Sequence, residues 1–321
     1  MTPLSKDAGL RTGVNRRSTM SGFITKTAAG IAAAATLIGG LAIGASSAQA
    51  ATTTSYDRTL GNAQFEAART QNGLTKEMNY GSILHAWMWS FNTMKEHMAE
   101  IADAGYTSIQ TSPISVIKGP MQGKKFTENW YYVYQPAGTS IGNSVVGSED
   151  DLKAMTAEAH KYGIRVIVDA VINHFSSDWN AIESSWKNTS LFHTKSEGGC
   201  GDNGTAINYG NRWQVTHCHL LGLWDLNTEN QEVGNRMQGF LKQAVADGVD
   251  GFRYDAAKHI ELPDEFGTHS PYFDTILDNG AQYQYGEVLQ GDAGLNVAAY
   301  PALFEKYSSN GGGNTASNYG G

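Results

Sequence analysis

The sequence predicts an α/β fold of the (β/α)8 TIM-barrel type. Three observations predict it. Short apolar segments alternate with helix-like ones from about residue 81 onward. Three of those apolar segments break into charged residues at their C-terminal ends. One long stretch without periodicity interrupts the rhythm after the third strand. Alternating strand and helix with doubly buried strands points to a parallel barrel, in which the strand body is core and its C-terminal tip carries chemistry. Five strands can be read, with a sixth at 315–318. A closed barrel needs eight, so the expected barrel is incomplete, with about six of eight strands.

Taken in order, residues 1–50 read as a secretory signal. A basic segment (Arg11, Arg16, Arg17, Lys26) precedes an apolar run at 28–45, and Ala48, Gln49 and Ala50 suit a small-residue cleavage site. A membrane anchor is the alternative. Gly and Ala dominate the run and polar Ser46 and Ser47 follow it, which favours cleavage. The segment 51–80 is polar and weakly patterned, and partial disorder is expected at 51–79. The catalytic portion is expected to be 81–321.

The first strand is read at 82–87. Thr93 to Glu96 has the form of a capping box for a helix ending at Gly105, with Met94, Met98 and Ile101 on one face. The second strand spans 106–111 and Pro113 ends it. An aromatic loop follows with Trp130, Tyr131, Tyr132 and Tyr134. Ser148 to Asp151 caps the next helix, which stops at Gly163 before a third strand at 164–171. At 175–221 periodicity vanishes, and an insert is placed at 175–225; irregular stretches this long are usually functional. Thr228 to Gln231 caps a helix to Gly248. The fourth strand then carries Arg253, Asp255, Lys258 and His259, and the fifth, at 283–288, carries Glu287. A last helix is read near 298–307.

Composition narrows the partners. Residues 1–50 hold five basic residues and one acid, so their removal takes the formal charge from −8 to −12 over 271 residues. An acidic protein argues against nucleic acid and anionic membranes, and no later run is long enough to span a bilayer. The expected location is extracellular, free of the membrane after cleavage, and the expected state is a monomer. The two cysteines, Cys200 and Cys218, most simply form one disulfide in a secreted chain. The rival is a zinc site of Cys200, His217, Cys218 and His219.

Three strand ends line up: Asp169 to His174, Arg253 to Asp255, and Glu287. In a parallel barrel such tips converge, so Asp255 and Glu287 can share a site although 32 positions separate them. Arg253 is expected to hold Asp255 ionised, which makes it a candidate nucleophile; an ordinary buried ion pair is the alternative. One ionised and one protonated carboxyl are the equipment of a retaining glycosidase. Loop aromatics suit flat sugar rings or simply pack against one another. His174 and His259 can hold hydroxyls as charge develops.

On these residues the chain resembles an alpha-amylase of glycoside hydrolase family 13. Asp169-Ala-Val-Ile-Asn-His174 matches the first signature of that family, 251–259 the second and Gly286-Glu-Val288 the third. The stretches 84–92 and 134–136 are similar to the secreted bacterial branch of Bacillus saccharifying enzymes. The resemblance implies starch or a related α-glucan as substrate, cut endo-wise with retention. It implies Asp255 as nucleophile, Glu287 as general acid/base and Arg253 as the group that orients Asp255. Trp130, Tyr134, Gln135, His174, Lys258 and His259 are implied to contact sugar. A calcium ion is implied between barrel and insert, held by side chains of Asn173 and Asp225 and by backbone carbonyls of Thr216 and His259, all oxygen donors as a hard cation requires. A turn-capping role for Asn173 and a helix-entry role for Asp225 are the alternatives. A bridge similarly placed to Cys200 and Cys218 braces the insert in animal relatives.

The fourth signature of the family, an Asn-His-Asp or Ser-His-Asp run carrying a third carboxylate, does not occur. The resemblance therefore implies a C-terminally truncated catalytic barrel, expected to hydrolyse starch poorly by itself. The other reading is a non-catalytic or vestigial starch-binding fragment.

Overall fold

The computed structural model describes residues 58–119 and 126–310. The expected signal segment and the sixth strand at 315–318 lie outside the described residues. Within them the strands are β1 (Ile83–His85), β2 (Ser108–Gln110), β3 (Ser115–Ile117), β4 (Pro136–Asn143), β5 (Gly147–Ser148), β6 (Arg165–Val171), β7 (His174–Phe175), β8 (Trp224–Asp225), β9 (Gly251–Asp255) and β10 (Tyr283–Gly286). The five strands read from the sequence form one sheet in the order β1-β2-β6-β9-β10, and every neighbouring pair is parallel.

Side chains alternate across a strand, and here both faces are covered. On β6, Val166, Val168 and Ala170 join the large core under the helices, whereas Ile167 packs with Met78, Tyr283 and Tyr285 on the other side. On β9, Phe252 and Tyr254 belong to the first face. Gly251, Arg253 and Asp255 are therefore left on the second. Register then places Asp169 beside Arg253, and Arg253 beside Tyr285. Period and register together put the charged residues of β6 and β9 on one inner face.

Two excursions leave this sheet. The aromatic loop is more ordered than expected: β3, β4 and β5 make an antiparallel sheet, and the aromatics sit in a 3-10 turn at Trp130–Tyr134. The second excursion begins and ends on its own antiparallel pair, His174 opposite Asp225 and Phe175 opposite Trp224. Between them run only 3-10 turns and helices of four and six residues, Gly201–Gly204 and Arg212–His217.

Several local expectations are corrected. The expected disorder at 51–79 gives way, in its described part, to a helix at Arg58–Gln71. Phe65 anchors it, buried against the His160 ring and under the Arg165 guanidinium. One aromatic carries little periodicity, so tertiary contact decides this helix. The first barrel helix is two, Phe91–Glu96 and Met98–Asp103. Its cap is Ser90, whose hydroxyl accepts from the Thr93 N–H at 3.1 Å. Thr228 does not cap the Gln231–Ala246 helix; Asn230 does, because the Thr228 hydroxyl donates to buried Glu261 instead. The capping box at Ser148 and Asp151 is present as read.

Candidate active site

The centre of the site is Arg253. Its Nη1 donates to Asp169 Oδ1 at 2.7 Å and to Asp255 Oδ1 at 2.9 Å, and Nη2 lies 3.0 Å from Glu287 Oε2. Three strands thus deliver three carboxylates to one buried cation. Glu287 is placed twice over. It lies just past the end of β10, and the Ala256 N–H donates to its Oε2 at 3.1 Å. That N–H points correctly because Ala256 is left-handed (φ 50°). A non-glycine residue in this region is strained, and such strain collects at functional sites. Gly286 lets the turn close: a Cβ there would lie 2.7–2.8 Å from Phe304 and Ala257.

One positive charge cannot balance three negative ones. Burial pushes the Asp255 carboxyl up to about 8; Arg253 opposes this, and Asp169 and Glu287 add to it. Burial raises Asp169 as well, against the pull of Arg253. The pull of Arg253 on Asp255 is thus divided, because the guanidinium is shared with Asp169 and Glu287. The Tyr134 hydroxyl donates to Asp169 Oδ2 at 3.1 Å.

Around this cluster the other residues divide. Trp130 is 43% exposed, edge-on to Trp87 and Tyr134, so its ring is open to a flat ligand. Gln135 has a buried side-chain oxygen with no donor among the described residues. His174 Nε2 faces the Tyr134 carbonyl at 3.1 Å, so that nitrogen carries the proton; burial pushes its pKa down to about 4 and the ring is neutral. Lys258 Nζ sits 2.9 Å from Asp292 and over the Tyr209 ring. The His259 ring is fixed through its Nδ1, which donates to the Val215 carbonyl at 2.8 Å.

Sequence reasoning did not single out Asp169, Arg212, Tyr209 or Asp292 as site residues. Asp169 stood inside a quoted motif, and its place two positions before Val171 was the available signal. Arg212 had none. It is buried, pairs with Glu265 at 2.6 Å, and reaches the carbonyls of Lys258 and Ile260 and the Tyr300 hydroxyl. It ties the excursion to the loop after β9.

Oxygen donors for a cation gather beside this loop. Asn173 and Asp225 side chains meet at 3.2 Å, and the Asp225 carboxyl is buried. Burial pushes that carboxyl up to about 6 against the opposing pull of His193. Thr216 lies in the last turn of its helix and His259 ends a 3-10 turn, positions whose carbonyls lack intrahelical partners. All four residues offer oxygen donors, the chemistry a hard cation takes, once the Asn173 amide, whose nitrogen now donates to Asp225, turns its oxygen inward. Cys200 and Cys218 form a disulfide with Cα atoms 6.0 Å apart, and His219 Nε2 contacts the His193 carbonyl. This overturns the four-residue zinc reading.

The family described as "Alpha amylase, catalytic domain" matches residues 90–288. The chain belongs to that family. Among curated relatives it is 36% identical over 243 residues to an alpha-amylase of Clostridium acetobutylicum, covering 71% of this chain and 30% of the relative. It is 37% identical over 285 residues to an alpha-amylase of Butyrivibrio fibrisolvens, covering 79% and 28%. The chain thus spans less than a third of the length of either. Solved structures agree on fold. Alpha-amylase I from Eisenia fetida, solved as a mutant with maltohexaose, matches with a TM-score of 0.58 at 23% identity, covering 73% of this chain and 48% of that one. A gamma-CGTase from Bacillus clarkii matches at 0.51 and 18%, covering 68% and 32%. The family match and these neighbours assign a (β/α)8 fold, of which β1, β2, β6, β9 and β10 are the described strands.

Proposed function

We propose that this site belongs to a retaining, endo-acting hydrolase of α-1,4-glucosidic bonds in starch and related glucans. The observation that carries the reading is the convergence of Asp255 and Glu287 on adjacent nitrogens of one guanidinium. Asp255 Oδ attacks the anomeric carbon as the bond to the leaving oxygen breaks, and Glu287 gives that oxygen its proton. Glu287 then takes a proton from water, which displaces Asp255 and restores the anomeric configuration. Arg253 stays between the two and stabilises the carboxylate that bears charge in each half-reaction. Trp130 offers a stacking face, and Gln135 and neutral His174 hydrogen-bond sugar hydroxyls. Lys258 and His259 border the leaving-group side. The maltohexaose complex of the Eisenia fetida enzyme supports a glucan ligand.

Asn173, Asp225 and the carbonyls of Thr216 and His259 would hold calcium. The ion would supply charge to offset the buried Asp225 carboxylate and rigidity between the excursion and the loop after β9. A secreted, signal-cleaved chain is part of the same proposal.

The test is soluble-starch hydrolysis by the 321-residue chain with calcium, beside Glu287→Gln, both folded by circular dichroism. Release of reducing ends is expected, falling about 10²- to 10⁴-fold in the variant. A folded chain that binds starch without cutting it would sink this reading and leave the non-catalytic one.

A further inference from the structure

The excursion and the chain just past β8 form a second cluster that the proposed chemistry does not use. His193 Nε2 lies 2.8 Å from Glu229 Oε2, and His217 Nε2 lies 2.7 Å from Glu229 Oε1. One ligand atom from each residue falls within 4.8 Å of the others. Both histidines are buried, while the Glu229 side chain is 39% exposed.

The other ring nitrogens set the tautomers. His193 Nδ1 is 2.7 Å from the Asp225 carboxylate, and His217 Nδ1 is 3.0 Å from the Trp213 carbonyl. Asp225 and the Trp213 carbonyl accept only. The Thr216 hydroxyl, 2.7 Å from His217 Nδ1, also accepts when its own hydrogen goes to the Arg212 or Trp213 carbonyl, so each Nδ1 can carry the hydrogen. In the neutral rings each Nε2 then presents a lone pair, and both aim at a carboxylate that also presents lone pairs. The two Nε2 atoms and a Glu229 oxygen are then the three atoms that would face one ion, all within 4.8 Å of one another. Protons on the Nε2 atoms hold the cluster together when no ion is bound, and one metal ion can take their place.

The geometry points to a second metal site, formed by His193, His217 and Glu229, that takes a borderline divalent cation with zinc as the best match. Two imidazoles and a carboxylate are a known zinc donor set that leaves one position open, unlike the all-oxygen set around Asn173 and Asp225. The outer contacts suit it. A carboxylate behind one histidine and a carbonyl behind the other are the partners that orient metal-bound imidazoles. Trp213 stacks on the His217 ring at 3.6 Å and 17°, fixing its plane. The ligands of a zinc tetrahedron stand about 3.3 Å apart, so the 2.7–2.8 Å separations need Glu229 to retreat by a few tenths of an ångström. Its partly exposed side chain can do so, and leaves a path for the ion. Bound there, zinc would join two separate segments of the excursion to the chain just past β8.

The probe is zinc alone, added to the EDTA-stripped, refilled 321-residue chain in excess calcium, so that the oxygen site is already saturated. Titration calorimetry and metal analysis after dialysis are expected to find one zinc per chain and a raised melting temperature. His217→Ala and Glu229→Gln are each expected to weaken binding at least about tenfold. Cobalt in place of zinc should show d–d absorption bands that Glu229→Gln shifts. If His217→Ala does not fold, the near-isosteric Glu229→Gln carries the comparison. Failure to retain zinc, or equal uptake by wild type and Glu229→Gln, would overturn the assignment and leave a proton-held cluster. Starch hydrolysis does not enter this result.

Discussion

At the strand tips three carboxylates converge on one guanidinium, whereas in the excursion two imidazoles converge on one carboxylate. The supports of the two regions differ as much as their charges. Asp169, Arg253 and Asp255 stand on β6 and β9, paired residue to residue from Ile167 opposite Gly251 to Val171 opposite Asp255. Backbone hydrogen bonds position them, so side chains are free to be electrostatically ill-matched. The excursion has only a two-residue ladder at its ends. There, side chains supply the order: the disulfide, the Arg212 contacts and the His193–Glu229–His217 bridge. Regular backbone can hold an unbalanced site, and irregular backbone needs cross-links.

The largest effect should come from removing the shared cation. Arg253→Met leaves three acids, two of them buried, without it and is expected to cost about 3–5 kcal/mol, read by urea unfolding. A loss below about 1 kcal/mol would mean that the carboxyls simply take up protons and the cation is dispensable to the fold. Next, replacing Cys200 and Cys218 together by Ser reopens an 18-residue loop, expected to cost about 3 kcal/mol. The comparison predicts where: hydrogen exchange should quicken at 193–219 while β6 and β9 stay protected. Equal loosening of both regions would break it.

A smaller effect sharpens the contrast at a carboxyl outside both clusters. Burial pushes Asp247 up to about 6, with Lys153 opposing and Glu149 adding to the rise. The folded pKa is above the unfolded one, near 3.8. The folded chain therefore binds more protons between the two, and this contribution to stability is complete at low pH and fades as pH rises from about 4 to about 6. Asp247→Asn should flatten that slope in stability measured against pH; an unchanged slope would assign it to other acids.

Much of the barrel was legible because its signals are local. All five strands, the Ser148 capping box and the charged tips at 253–259 and at 287 could be read from period, caps and composition. The shared face of Arg253 and Asp255 follows from their two-position spacing on one strand, whereas register between β6 and β9 is what brings Asp169 beside them. Less legible were elements decided by one distant contact. The helix at Arg58–Gln71 depends on Phe65 finding Arg165, and the Asn230 cap depends on Glu261 capturing Thr228.

The sequence by itself determined the period of the strands, the family resemblance and the identity of the acids at their tips. These follow from covalent order and side-chain alternation. Tertiary structure alone decided that Arg253 is shared three ways, that Arg212 clamps the loop after β9, and that His217 faces Glu229 and His193 while Cys218 turns to Cys200. Such pairings depend on register between strands and on the path of an irregular loop, and neither is written in the spacing of residues along the chain.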